Sequence, residues 1–66
     1  MDKYEYNLKL DQMKALVAEG DYLTAATIAD TINWRKIKNV TALVRAGEIY
    51  EQVGRYGESR EILLMA

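Results

Sequence analysis

Apolar residues recur every three or four positions along most of the chain, which is the spacing expected for one face of an α-helix. The first stripe comprises Tyr6, Leu10, Met13, Leu16 and Val17. It predicts a first helix over about residues 4–19. A second stripe predicts a helix over about residues 22–31, whose packing side consists of Ala25, Ala26, Ile28, Ala29 and Ile32.

The longest apolar stripe lies in the second half of the chain. Its members are Trp34, Ile37, Val40, Leu43, Val44, Gly47, Tyr50 and Val53. It predicts a third helix over about residues 34–53, for which either Asn33 or Asn39 is a suitable N-cap residue. A fourth helix is predicted from near residue 56 to residue 66. Because helical spacing runs along most of the chain and no Asn-Gly or Asp-Gly hairpin signal occurs, we expect an all-α fold with about four helices.

Two glycines mark the turns between these helices. Gly20 and Gly54 each follow a predicted helix, where glycine adopts the left-handed conformation of a helix C-terminus without a steric penalty. Asp21 follows the first of them, and its carboxylate suits the N-cap of the second helix. The chain contains no proline and only four glycines, so we expect regular helices joined by very short turns.

The two turns are also copies of each other in sequence. The residues that recur 34 positions apart are Gly20 and Gly54, Tyr22 and Tyr56, Ala25 and Ser59, and Ile28 and Ile62. A fixed period in the range of about 20–50 residues indicates repeated units of the same local structure. Gly47 lies inside a predicted helix, where glycine costs about 1 kcal/mol relative to alanine. We therefore expect a close helix–helix contact at that position.

One pattern in the second half has a known counterpart. Its residues are Leu43, Ala46, Gly47, Tyr50, Gly54, Tyr56, Ser59 and Leu63. This pattern is similar to the tetratricopeptide repeat, departing from it at Ser59, where alanine is usual, and at Leu63, where an aromatic residue is common. The first half keeps fewer of these positions, namely Leu16, Gly20, Tyr22 and Ala25. It has Met13 in place of the glycine of the first helix and Ile37 in place of the family's proline.

The resemblance implies a single domain over residues 1–66 made of antiparallel helix-turn-helix repeats, a fragment of an α-solenoid. Repeat one would cover about residues 6–39, and repeat two about residues 40–66 in truncated form. The chain still has a helical pattern at its end, as a fragment of a longer repeat protein would.

The resemblance also implies a non-catalytic module that binds a peptide or a protein segment in a concave groove. Carried over by position, the candidate groove residues are Asn7, Leu10, Lys14, Val17, Thr41, Val44, Arg45, Glu48 and Gln52. The alternative is that most of these side chains are solvated helix surface. Some family members clamp a peptide's C-terminal carboxylate with Lys, Asn and Arg side chains. Here Val44 and Glu48 leave that clamp incomplete, so we expect no ligand of this kind.

The composition argues against an enzyme. The chain contains no histidine and no cysteine, which are leading residues for acid–base chemistry, nucleophilic attack and zinc binding. Glu48 and Glu51 lie three residues apart and could pair for acid–base chemistry. Helical ion pairs with Arg45 and Arg55 explain these two carboxylates better. We therefore expect no catalytic residue, no metal and no cofactor.

Charge is nearly balanced but unevenly distributed. Nine basic and ten acidic residues give a net charge of −1. Residues 1–33 contain six acidic and three basic groups, whereas residues 34–66 contain four acidic and six basic groups. The segment 31–47 contains four basic residues and no acidic one, namely Arg35, Lys36, Lys38 and Arg45. This segment is either a solvated face or a surface complementary to the acidic half of a neighbouring chain.

Nucleic acid and membrane are poor candidates for a partner. The basic segment is small, and the net charge is slightly negative, which disfavours binding to a phosphate backbone. No apolar run approaches the roughly 20 residues that a membrane span needs, and residues 1–6 contain no apolar signal-peptide core. We expect a cytoplasmic protein whose partner is another protein.

Two repeats are few, because each repeat buries its apolar face against a neighbour and arrays typically need three or more. The last helix carries Ile62, Leu63, Leu64 and Met65. We therefore predict self-association as a homodimer through this helix, and a homo-oligomerisation domain is the alternative function. Trp34 is either a core or inter-repeat packing residue or an interface anchor.

Overall fold

The computed structural model describes residues 3–66 and contains four α-helices. They are α1 (Lys3–Ala18), α2 (Tyr22–Ala29), α3 (Val40–Gln52) and α4 (Tyr56–Met65), with a short 3-10 helix at Trp34–Lys36 between α2 and α3. No strand occurs among the described residues. The all-α prediction with four helices is confirmed, and the arrangement is compatible with helical repeats. Residues 1 and 2 of the predicted domain lie outside the described part.

The helices form two hairpins, α1–α2 and α3–α4, and the hairpins meet where α2 packs against α3. Each hairpin turns at a glycine in the left-handed conformation, with φ of 80° at Gly20 and 81° at Gly54. The N–H that follows each glycine donates back to the preceding helix, from Asp21 to the Leu16 carbonyl at 2.9 Å and from Arg55 to the Tyr50 carbonyl at 2.8 Å. This is the Schellman C-cap, and it recurs with the period seen in the sequence.

The N-cap of α2 is also as predicted. The Asp21 carboxylate accepts a hydrogen bond from the Thr24 N–H at 3.1 Å, which satisfies one of the free donors at the start of the helix. Arg55 holds the corresponding position before α4 and makes no side-chain cap bond to the helix backbone. The turn of the second hairpin therefore has a glycine at the equivalent position but lacks the aspartate N-cap.

The prediction that helix 3 begins at Trp34 is wrong. Residues Trp34–Lys36 form a 3-10 helix, Ile37 is extended, and α3 begins at Val40. Both candidate N-cap residues are used, because the Asn33 side chain accepts from the Arg35 N–H and the Asn39 side chain from the Ala42 N–H, each at 3.2 Å. Helix α2 also ends earlier than predicted, at Ala29 rather than near residue 31.

The core lies between the two hairpins. Its buried apolar members are Met13, Ala25, Ala26, Ala29, Ile32, Trp34, Ala42, Leu43, Ala46, Ile49, Tyr50 and Ile62. The alanines keep α2 and α3 thin on their facing sides, so that their backbones approach closely. Helix α4 contributes only Ile62 to the apolar core, which leaves most of its surface outside.

Gly47 makes the close contact that its mid-helix position predicted. A Cβ atom built on Gly47 would lie 2.6 Å from Cγ and Cδ2 of Leu63, well inside van der Waals distance. The buried Ser59 hydroxyl donates to the Gly47 carbonyl at 2.7 Å. Helix α4 therefore rests directly on the backbone of α3 at this point.

Candidate functional site

A groove runs along α3 on the side that faces the end of α1. Its deeper part, about 380 Å³, is lined by Val17 of α1 and Tyr22 of α2, together with four polar or charged residues and one apolar residue of α3. Those five are Arg45, Glu48, Ile49, Glu51 and Gln52. Four candidate residues from the sequence, Val17, Arg45, Glu48 and Gln52, therefore lie in one depression.

The groove continues toward the start of α3. A neighbouring depression of about 310 Å³ is lined by Val40, Thr41, Val44, Arg45 and Glu48. Because Arg45 and Glu48 border both depressions, the two form one continuous surface, which we call the α3 groove. All five candidate residues of α3 lie in it.

The α1 candidates other than Val17 lie elsewhere. Asn7 and Lys14 are exposed on α1, and the half-buried Leu10 packs against the core. None of the three lines either depression of the α3 groove. Val17 is therefore the one candidate of α1 that lines the groove. Tyr22 of α2 lines it as well, although the sequence did not indicate this residue.

No ion pair within residues 3–66 involves the charged residues of the α3 groove. Among residues 3–66, ion pairs join Lys9 to Glu5 and Arg55 to Asp30 and Glu58. Arg45 is half-buried and Glu48 exposed, and neither takes part in these pairs. The pairing that the sequence suggested between Arg55 and Glu51 is replaced by pairing with Asp30 and Glu58. Arg45 and Glu48 are thus open to groups from another molecule.

A polar cluster that the sequence did not predict links the two hairpins. Asp30 follows α2 and accepts from the Tyr50 hydroxyl of α3 at 2.8 Å. Arg55, in the α3–α4 turn, donates to both oxygens of Asp30 at 2.9 Å and from Nε to Glu58 at 2.8 Å. Its guanidinium carbon also lies 4.7 Å from the centre of the Tyr50 ring, within the range of a cation–π contact.

The cluster shifts the pKa values of its members. The Arg55 guanidinium holds the pKa of Asp30 below its ordinary value, and the Tyr50 hydroxyl acts in the same direction. Burial raises the pKa of Tyr50, and the hydrogen bond to Asp30 adds to this effect. Asp30 is therefore ionised and Tyr50 protonated at neutral pH. These groups bridge α2 to the second hairpin, which is a structural role.

Trp34 is a packing residue within this chain. Its side chain is buried, and the indole N–H donates to the Ala29 carbonyl at 2.9 Å, which occupies its one polar group. Ala29 ends α2, so this bond closes the connection that leads from α2 into the 3-10 helix. Only an edge of Trp34 borders the surface, beside Asp30 and Tyr50.

The outer face of α4 carries exposed large apolar side chains. Tyr56, Leu63, Leu64 and Met65 are 67%, 39%, 79% and 39% exposed. A shallow depression of about 350 Å³ runs along this face past Arg60.

Comparison of the chain with protein-family models, with curated proteins and with solved structures gives no match. Among residues 3–66, no three histidine, cysteine, aspartate or glutamate side chains lie close enough together to hold a metal ion. None of the helices in the described part of the chain is long and apolar enough to cross a lipid bilayer.

Proposed function

We propose that this chain is a non-catalytic interaction module of tetratricopeptide type, acting in the cytoplasm, that holds a segment of another protein in the α3 groove. The observation that carries the proposal is the convergence of residues from separate parts of the sequence in one groove. Val17 comes from α1, whereas Val44 and Arg45 come from α3. The resemblance in sequence points to the same three positions.

The chemistry of the α3 groove supports a peptide ligand. Val40 and Val44 are 57% and 36% exposed, so the groove offers apolar surface for side chains of a ligand. Arg45 and Glu48 stand beside them and take part in no ion pair within the described part of the chain. Apolar contact with a few polar groups for orientation is the usual composition of a ligand site.

The proposal is tested by selecting peptides from a random display library on the full chain and mapping the best one by NMR. We expect amide shifts to concentrate between residues 41 and 52 and around Val17. The variant Val44→Asp should weaken binding by about tenfold or more, since it places an unpaired charge on the apolar wall.

Leu23 supplies the matched control. It is 73% exposed on α2 and outside the α3 groove, so Leu23→Asp makes a similar chemical change where the ligand does not reach. We expect Leu23→Asp to bind as the unaltered chain does. A peptide whose shifts fall outside α3, or equal losses in both variants, would contradict the proposal.

A second candidate function is homo-oligomerisation, and the exposed α4 face favours it. Leu64 is the most exposed large apolar residue of the second hairpin, at 79%. Contact with a second copy through Tyr56, Leu63, Leu64 and Met65 would remove this surface from water. Association by burial of apolar area is favourable at roughly 25 cal/mol per Å² before its entropic cost.

Light scattering after size-exclusion chromatography, over a series of chain concentrations, tests this second function. We expect a dimer for the unaltered chain and for Leu23→Glu, and a monomer for Leu64→Glu. Far-ultraviolet circular dichroism on the same fractions reports whether each species is helical. A helical monomer at all micromolar concentrations would refute self-association and leave the α3 groove as the functional surface.

A further inference from the structure

A third surface, separate from the α3 groove and the α4 face, lies beside the start of α1. It is a pocket of about 600 Å³. Lys3 and Tyr6 of α1 line one side, and Ile32, Lys36 and Ile37 of the connection between α2 and α3 line the other. We call it the basic pocket.

The basic pocket is positively charged. Of the described residues that line it, two are lysines and none is acidic. Lys3 and Lys36 are exposed and come from different segments of the chain. The ion pairs within residues 3–66 involve other groups, so their charge is not neutralised there. Two lysine side chains beside one pocket favour an anionic ligand.

Tyr6 adds an unused hydrogen-bond donor. Its hydroxyl is shielded from solvent and has no hydrogen-bond partner in the described part of the chain. Burial raises the pKa of Tyr6, so the hydroxyl carries its proton at neutral pH. A buried hydroxyl without a partner is uncommon and unfavourable. A carboxylate oxygen in the pocket would accept this bond once the Tyr6 side chain turns its hydroxyl toward it, because the hydroxyl is shielded from solvent in the free chain.

The rest of the basic pocket is lined by the polar Thr31 and Asn33 and by two isoleucines. Ile32 is buried and Ile37 half-buried, and both pack with the core cluster. The ring of Tyr6 adds to this apolar part of the lining. A ligand that carries only charge would leave these side chains against water, whereas one with a neighbouring aliphatic group would cover them.

We propose that the basic pocket binds an acidic segment of a partner protein in which a carboxylate side chain adjoins an aliphatic side chain. The carboxylate pairs with Lys3 and Lys36 and accepts from the Tyr6 hydroxyl, while the aliphatic group packs on Ile32 and Ile37. A nucleic-acid backbone would satisfy the lysines but supplies no aliphatic group for the isoleucines. The proposal does not depend on ligand binding in the α3 groove.

The test measures fluorescence anisotropy of a labelled peptide of alternating glutamate and leucine, with both ends blocked, added to the full chain at low salt. We expect Lys36→Glu to weaken binding by about tenfold. Lys38→Glu makes the same charge change at an exposed position outside the pocket, and it should change binding by no more than about twofold. Val44→Asp, in the α3 groove, should have no effect.

Tyr6→Phe is the most informative variant, because it should weaken peptide binding without lowering the thermal unfolding temperature. Loss of the donor should weaken peptide binding by about tenfold. Loss of an unpaired buried hydroxyl should leave the thermal unfolding temperature unchanged or higher. Weaker binding together with a lower unfolding temperature would mean that the hydroxyl serves the fold, which overturns its assigned role.

Four further results would overturn the proposal. One is equal weakening by Lys36→Glu and Lys38→Glu, which would indicate diffuse charge. Another is equal binding of a peptide with glutamine in place of glutamate. A third is a single-stranded oligonucleotide that binds more tightly than the peptide. The last is dissociation of a dimer by Lys36→Glu, which would make a second copy the occupant.

Discussion

Replacing Gly47 by alanine tests how closely α4 rests on α3. Intrinsic helix propensity alone favours the change by about 1 kcal/mol. The contact with Leu63 opposes it, because the new Cβ would lie 2.6 Å from two carbons of that side chain. Carbon atoms in contact prefer about 3.5–4.0 Å, so Leu63 or the whole of α4 must retreat by roughly 1 Å.

The expected change in the free energy of unfolding follows from the contacts that a movement of Leu63 or α4 would disturb. Movement of α4 stretches the hydrogen bond of 2.7 Å from the Ser59 hydroxyl to the Gly47 carbonyl. Rotation of Leu63 toward solvent exposes a residue that is now only 39% exposed. Overpacking of this kind costs about 1–3 kcal/mol. We therefore expect Gly47→Ala to lower the free energy of unfolding by roughly 0–2 kcal/mol, the propensity gain included.

The sign of the effect should reverse when Leu63 is shortened. In a Leu63→Ala background the obstructing carbons are absent, so Gly47→Ala should raise the free energy of unfolding by about 1 kcal/mol. The difference between the two backgrounds is the coupling energy of a double-mutant cycle, expected at roughly 1–3 kcal/mol. Gly57→Ala is the control, since a Cβ there meets nothing within 4 Å and only propensity changes.

Urea denaturation followed by far-ultraviolet circular dichroism measures all four chains of the cycle, at one chain concentration because self-association would shift the midpoints. The reasoning fails if Gly47→Ala stabilises the chain equally in both backgrounds. In that case α4 would accommodate the added methyl group without a loss in the free energy of unfolding. Packing against Leu63 would then not explain the glycine at position 47.

Three further substitutions test other contacts described above. Arg55 lowers the pKa of Asp30 below its ordinary value of 3.8, so this stabilisation is complete above the unfolded-state pKa and is lost as pH falls through the native one. Asp30→Asn should therefore flatten the acid side of the stability profile measured by urea denaturation at several pH values. Trp34→Phe removes the donor to the Ala29 carbonyl and should cost about 1–2 kcal/mol in the same assay, and a loss below the error of the method would contradict that bond. Gly54→Ala imposes a side chain on a φ of 81° and should lower the free energy of unfolding by about 1–2 kcal/mol, whereas an unchanged value would show that the turn relaxes.

The turns could be predicted from the sequence because their signals are local. Gly20 and Gly54 adopt left-handed backbone conformations, and Asp21 caps the helix that follows it. Each of these features depends on the residue itself and on neighbours a few positions away. The period of 34 residues then extends the prediction from one turn to the next.

The start of α3 could not be predicted, because buried residues that precede the helix continue the same spacing of apolar residues as the helix itself. Trp34 and Ile37 continue the stripe of α3 in sequence, but they point inward from a 3-10 helix and an extended residue. The bond from the Trp34 indole to the Ala29 carbonyl holds the chain in this path. That bond has no signature in the spacing of apolar residues.

The candidate site could be predicted from the sequence where its residues come from a single helix. Thr41, Val44 and Arg45 share a face of α3, so their spacing places them together. The contribution of α1 depends on how the hairpins pack, which the positions of Asn7 and Lys14 do not reveal. The cluster of Asp30, Tyr50 and Arg55 also depends on how the hairpins pack. Tyr50 and Arg55 lie 20 and 25 residues from Asp30 in the sequence, so spacing alone does not reveal it.

The contact between the two hairpins is smaller than the contact within either one, and its polar part is the half-exposed ion pair of Asp30 and Arg55 together with the hydrogen bond from Tyr50 to Asp30. Salt screens such a pair while leaving the apolar packing inside each hairpin in place. Rising ionic strength should therefore weaken the link between the hairpins slightly while each hairpin stays folded. Val17 and Arg45 belong to different hairpins, so the width of the α3 groove depends on how α2 packs against α3.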